Sequence, residues 1–104
     1  MAITKKKGTN KKTGLCKPAI SGDMTIYTAE TLKSDLDDII NDYGRFEFDL
    51  SEVEEIDTSG IQILMAFSNA VRNKGDAFII KNSNEEVDSA LNRYHLTSKL
   101  CEEV

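Results

Sequence analysis

Tryptophan is absent from this 104-residue chain, proline and histidine occur once each, and cysteine occurs only twice. No apolar run approaches the roughly 20 residues that a membrane-spanning helix needs, so a membrane protein is not expected. The two cysteines, Cys16 and Cys101, lie far apart with no CxxC spacing, and His95 has no second ligand near it in sequence. That scarcity argues against a zinc site or a thiol redox centre, and both cysteines are expected to remain thiols. Residues 1–14 carry lysines but no apolar segment of a secretory signal, which makes the cytoplasm the expected location.

Basic charge is also scarce beyond the start of the chain. Lys5, Lys6, Lys7, Lys11, Lys12 and Lys17 account for six of the thirteen basic residues, and no acid lies among them. From residue 18 onward seven basic residues face eighteen acidic ones, a balance of −11. A body so acidic repels phosphate backbones, so no nucleic-acid partner is expected. Residues 1–14, with glycines, threonines and an asparagine between the lysines, read as a disordered basic tail, and residues 15–104 as one domain.

What is present is a regular alternation of strand and helix patterns. "LCKPAI" (15–20) reads as a short extended segment with an edge or irregular start at Pro18, and "SGD" (21–23) as a turn. A helix is expected from an N-cap at Thr28, burying Leu32, Leu36, Ile39, Ile40 and Tyr43 and ending at Gly44. "RFEFDLS" alternates Phe46, Phe48 and Leu50 with polar residues, as a half-buried strand does, and "EVEEID" reads as an acidic connection. A largely buried helix is expected over 59–73 with Gly75 at its C-terminal stop, then a strand in "DAFIIKN", a turn at 82–84 and a third helix. Val87, Ala90, Leu91 and Tyr94 form its packing stripe, and Leu96 and Leu100 close over the core. The order predicts an α/β fold with a small mixed, mainly parallel sheet of strands about five residues long.

In such folds ligands and chemistry gather where a strand's C-terminal end enters a helix. "EIDTSGIQIL" (54–63) occupies that place, with Asp57, Thr58, Ser59 and Gly60 at the helix start. Residues of these types also serve as plain helix caps, and the motif alone leaves both readings open. No GxSxG elbow, Walker loop or dinucleotide loop is present, and His95 has no evident orienting acid, so catalysis is not expected. Neighbouring acids such as Asp37 and Asp38 point in different directions on a helix and do not form a cation site by themselves.

Three stretches, "GDMTIYTAETLKSDL" (22–36), "FDLSEVEEIDTSGIQIL" (48–64) and "NKGDAFIIKNSNEEVDSALNRYHLTSKL" (73–100), resemble in order and spacing the STAS domain of bacterial anti-sigma factor antagonists. The resemblance covers roughly residues 15–101. It implies a non-catalytic module, without cofactor or metal, that docks on a serine/threonine kinase of the histidine-kinase-like ATPase type or another signalling protein. That kinase phosphorylates the hydroxyl residue after the motif aspartate, and a phosphatase reverses the step. Carried over, the phosphorylated residue is Thr58, with Ser59 second, and the docking loop is Asp57, Thr58, Ser59, Gly60 and Ile61 with the exposed flank of the following helix. Threonine departs from the serine found in many such antagonists. "GDMTIYTAETLK" also resembles a branch found with chemotaxis components, and a further branch serves as constitutive subunits of lipid-transport ATPase complexes.

Overall fold

The computed structural model describes the backbone of residues 2–5, together with residues 9, 10, 12–96 and 100; Cys101, Lys6, Lys7 and Lys11 lie outside the described residues. In chain order the elements are β1 (Ala2–Lys5), β2 (Leu15–Cys16), β3 (Pro18–Met24), α1 (Ala29–Ile39), β4 (Arg45–Ile56), α2 (Thr58–Asn73), β5 (Ala77–Asn82) and α3 (Glu85–Arg93). β4 is the centre of the sheet and runs parallel to β2, β3 and β5. Asp49 of β4 pairs with Ala19 of β3 and with Asn82 of β5, while Arg45 pairs with Leu15 of β2 and Ala77 of β5. β2 and β3, separated by Lys17 alone, therefore share one edge of β4 and β5 holds the other. β1 adds an antiparallel strand to β3, which completes the expected small, mixed, mainly parallel sheet.

β4 corrects two expectations, since it is 12 residues long and absorbs the stretch read as an acidic connection. Its second half hid because Leu50, Val53 and Ile56, all buried, recur every third residue instead of every second. Two register shifts explain the spacing: Ala19 to Met24 on β3 pair with Asp49 to Ile56 on β4, so β4 carries two more residues than its neighbour. Extra residues of this kind bend and twist a strand, and here Ser51, Glu52, Glu54 and Glu55 are exposed in the gaps. The "SGD" turn is corrected for the same reason. Gly22 adopts φ +81 within β3 beside one of those shifts, and the strand continues through it.

Parts of the stretch expected as a tail are paired with the sheet and its neighbouring loops. Ala2 to Lys5 pair with Ser21 to Pro18, and Asn10 and Leu15 exchange backbone hydrogen bonds of 2.8 and 3.2 Å around a turn. Gly14, at φ +75, closes that turn, and its carbonyl accepts from Gly44 N (2.8 Å) and Arg45 N (2.9 Å). Backbone pairing, to which composition is blind, supplies an anchor for this stretch.

α1 ends at Ile39, a turn before Gly44, yet Tyr43 remains buried and meets Phe46 edge-on with centroids 6.2 Å apart. Thr28 stands at the N-cap position without capping: its backbone is at φ −113, ψ −4, and its hydroxyl instead accepts from Thr25 N and donates to Asp23 O. α2 buries Ile61, Leu64, Phe67, Ser68 and Val71. All four phenylalanines of the chain meet here, Phe67 standing 5.1 Å from Phe46, 5.5 Å from Phe48 and 6.0 Å from Phe78 between ring centroids. Gly75 takes φ +87 after α2, as its place at the stop requires. Asn84 caps α3 by accepting from Val87 N, and its amide donates to Ser51 O and Val53 O of β4. Leu96 and Leu100 are buried, and Leu100 N donates to Leu96 O.

Ser68 is a fault in this core. Its side chain is fully buried, and its hydroxyl has no hydrogen-bond partner among the described residues. Ser68→Ala removes a desolvated, unpaired group and raises helix propensity, so it is expected to stabilise the fold by about 1 kcal/mol. A denaturant titration is expected to show a higher midpoint at unchanged slope. A lowered midpoint would show that the hydroxyl holds something.

Candidate functional site

β3 and β4 are parallel and end together at Met24 and Ile56, which pair in register. The chain leaves them into two loops at the same end of the sheet, residues 25–28 ahead of α1 and Asp57 ahead of α2. Asp57 N donates to Met24 O at 3.2 Å, which draws the start of α2 against the end of β3. Gly60 makes that approach sterically feasible. A Cβ there would lie 2.3 Å from Met24 O and 2.9 Å from Ile56 Cγ1.

Asp57 has the extended backbone of an N-cap, at φ −116 and ψ −172. Its Oδ1 accepts from Gly60 N at 3.2 Å, and its Oδ2 accepts from Ile26 N at 3.0 Å, 31 positions away. One carboxylate thus caps α2 and fastens the β3–α1 loop to it. Committed to two backbone amides, it serves as a structural anchor and is poorly placed to act as a base.

The residues that follow are sorted by the 100° turn of the helix. Thr58 is exposed, and its Oγ1 lies 2.8 Å from the hydroxyl of Tyr94. Ser59 is half-buried and lines a groove of about 480 Å³ between α1 and α2, together with Ala29, Lys33, Leu36, Gln62 and Ile63. Gly60 is buried and Ile61 is only 3% exposed, facing the core. Of the loop expected to dock a partner, Ile61 thus anchors the helix in the core, and Gly60 shapes the loop from below.

Three residues at this site escaped the sequence reading. Ile26, Tyr27 and Tyr94, respectively 66%, 95% and 41% exposed, are the large hydrophobic side chains left in solvent among the described residues. Ile26 is bonded to Asp57, Tyr27 follows it, and Tyr94 is bonded to Thr58, so all three surround the motif. An apolar pair between a strand and a helix, belonging to the stripe of neither, was the available signal for Ile26 and Tyr27. Tyr94 fitted the stripe of α3 and gave none. His95 is exposed beyond α3 at φ +57.

The site offers one exposed hydroxyl at a helix N-terminus, inside a small apolar and aromatic patch, on a body of strong negative charge. Among the described residues, no group of three or more histidine, cysteine, aspartate or glutamate side chains is arranged to hold a metal ion. No helix among them is long and apolar enough to cross a membrane.

No curated protein matches the chain in sequence. Among solved structures, the fold is shared with the anti-sigma factor antagonist SpoIIAA in its unphosphorylated form, at TM-score 0.78 and 11% identity over 99% of this chain and 89% of that one. SpoIIAA from Bacillus in its phosphorylated form is also similar, at TM-score 0.72 and 10% identity, covering 99% and 92%. An anti-sigma factor antagonist from Mycobacterium paratuberculosis gives TM-score 0.79 at 21% identity, covering 95% and 83%. A sulfate transporter family protein from Wolinella succinogenes gives 0.69 at 25%, covering 84% and 71%. The model of the STAS domain family matches residues 7–103, nearly the whole chain, and the protein belongs to that family.

Proposed function

We propose that this STAS domain is a non-catalytic, cytoplasmic signalling module that binds a regulatory kinase or an anti-sigma-type partner and is switched by phosphorylation of Thr58. The observation that carries the reading is the placement of the Thr58 hydroxyl, exposed at the first turn of α2 amid Ile26, Tyr27 and Tyr94. The existence of both phosphorylated and unphosphorylated forms of SpoIIAA, a protein of the same fold, supports it. Ser59 is the second choice, because it is half-buried against the α1–α2 groove.

The partner fits a serine/threonine kinase of the histidine-kinase-like ATPase type or another signalling protein, with a phosphatase to reset the switch. A phosphate at the start of α2 is tolerated by the domain, since the helix dipole and its free amides favour an anion. Its cost falls on the docked surface, where a dianion replaces a neutral hydroxyl inside an apolar patch.

Incubation with such a kinase and ATP is expected to add one phosphate per chain, located at Thr58 by mass spectrometry and abolished in Thr58→Ala. Equal labelling of Thr58→Ala would show that the site is elsewhere. The likeness to a sulfate transporter family protein favours a second reading, a constitutive subunit of a larger assembly such as a lipid-transport ATPase or a chemotaxis complex. On that reading Thr58→Glu, at the first helical position after the cap Asp57, changes stability by no more than about 1 kcal/mol through the helix dipole and leaves partner binding unaltered.

A further inference from the structure

The contact between Thr58 and Tyr94 joins the start of α2 to the end of α3 across 36 positions of sequence. Tyr94 is held for this contact by a left-handed helix stop. It is the C-cap of α3, and His95 after it takes φ +57, a left-handed conformation uncommon outside glycine. His95 N donates to Asn92 O at 3.1 Å and Leu96 N to Leu91 O at 2.9 Å, and Leu96 is buried. The backbone beneath Tyr94 is thus fixed on both sides. Tyr94 is 41% exposed, so its hydroxyl end is open to solvent-side chemistry as well as to Thr58.

Resting on the reading of Thr58 as the phosphorylated residue, we propose that Tyr94 is a positioning residue for phosphoryl transfer, holding Oγ1 of Thr58 in one orientation and directing the reaction to Thr58 over Ser59. In the transfer a kinase acting on ATP supplies the phosphoryl group. The Thr58 Oγ1–phosphorus bond forms, the bond from the γ-phosphorus to the bridging oxygen breaks, ADP leaves, and the threonine proton passes to a base of the kinase. Either hydroxyl can be the donor while Thr58 is free. Transfer requires the threonine proton to be available, so the productive arrangement has Tyr94 donating to Oγ1. Once Oγ1 is esterified it has no hydrogen, and Tyr94 can only donate, either to Oγ1 or to a phosphate oxygen. One hydrogen bond, kept in one direction, therefore serves the hydroxyl before transfer and the ester after it. Ser59, turned toward the α1–α2 groove, lacks this presentation.

The test compares the full chain with Tyr94→Phe, which keeps the ring and removes only the hydroxyl. With the kinase and ATP, Tyr94→Phe is expected to lower kcat/KM for Thr58 about tenfold through kcat, with KM unchanged, and to raise the share of phosphate found on Ser59. Three-bond NMR couplings of Thr58, read without any kinase, are expected to report one staggered side-chain rotamer in wild type and averaging in Tyr94→Phe. Labelling of Tyr94→Phe at the wild-type rate and site, or faster, overturns the role of Tyr94, as do unchanged couplings. A wild type that takes no phosphate at either hydroxyl overturns the phosphorylation reading and the transfer role together. A labelled wild type with an indifferent Tyr94→Phe overturns only the latter.

Discussion

Gly60→Ala is expected to destabilise the domain by about 2–3 kcal/mol, although alanine is the better helix former. Propensity alone would make the substitution favourable by up to about 1 kcal/mol within a helix. The added methyl, however, would meet Met24 O at 2.3 Å, Ile56 Cγ1 at 2.9 Å and Met24 Cβ at 3.0 Å. The nearest of these is backbone, and no side-chain rotation relieves it. The first turn of α2 would have to lift from the end of β3, straining the Asp57 N to Met24 O bond and the carboxylate tie to Ile26. Overpacking of this kind costs about 1–3 kcal/mol and occasionally more, enough to exceed the propensity gain. Denaturant titration of the two proteins at equal slope checks the value. Equal or higher stability in Gly60→Ala would mean that the helix start is not seated on β3 as described.

That seating was only partly legible in the sequence. The position of the motif at a strand-to-helix junction followed from Phe46, Phe48 and Leu50 on one side and the apolar helix on the other. Gly60 could be recognised as permitting a close approach, but the partner of that approach, Met24, lay at the end of a strand that had been divided by the supposed "SGD" turn. Register shifts do not announce themselves in an alternation pattern, so the triplet spacing of Leu50, Val53 and Ile56 read as loop. The amino-terminal strand was hidden for a different reason. β1 is held by a backbone ladder on β3, and four residues followed by a run of lysines are too short a pattern to signal it. Tyr94 was read as one more member of the α3 stripe, because a helical wheel ends where the helix ends. The left-handed His95 beyond it belongs to no periodic pattern.

Phosphorylation of Thr58 has the largest effect expected on binding. The group adds about −1.5 to −2 charges at neutral pH and three strong acceptor oxygens. It does so next to the Asp57 carboxylate, on a chain whose residues from 18 onward already carry a balance of −11. It also lands amid Ile26, Tyr27 and Tyr94, whose burial by a partner would exclude water and make an unpaired dianion costly. Loss of about 3 kcal/mol of binding free energy corresponds to more than a hundredfold in affinity. The domain itself is expected to stay folded, because the anion sits at the favourable end of α2. A fall in affinity with an unchanged circular dichroism spectrum and thermal midpoint would separate release from unfolding.

The decisive comparison is a calorimetric titration of the protein that co-purifies with the unmodified chain, first against that chain and then against the same chain phosphorylated at Thr58. The expected result is binding at least about a hundredfold weaker after phosphorylation, with both forms folded. Equal affinity of the two forms would contradict a phosphorylation switch at Thr58 and leave it as a residue of the helix start.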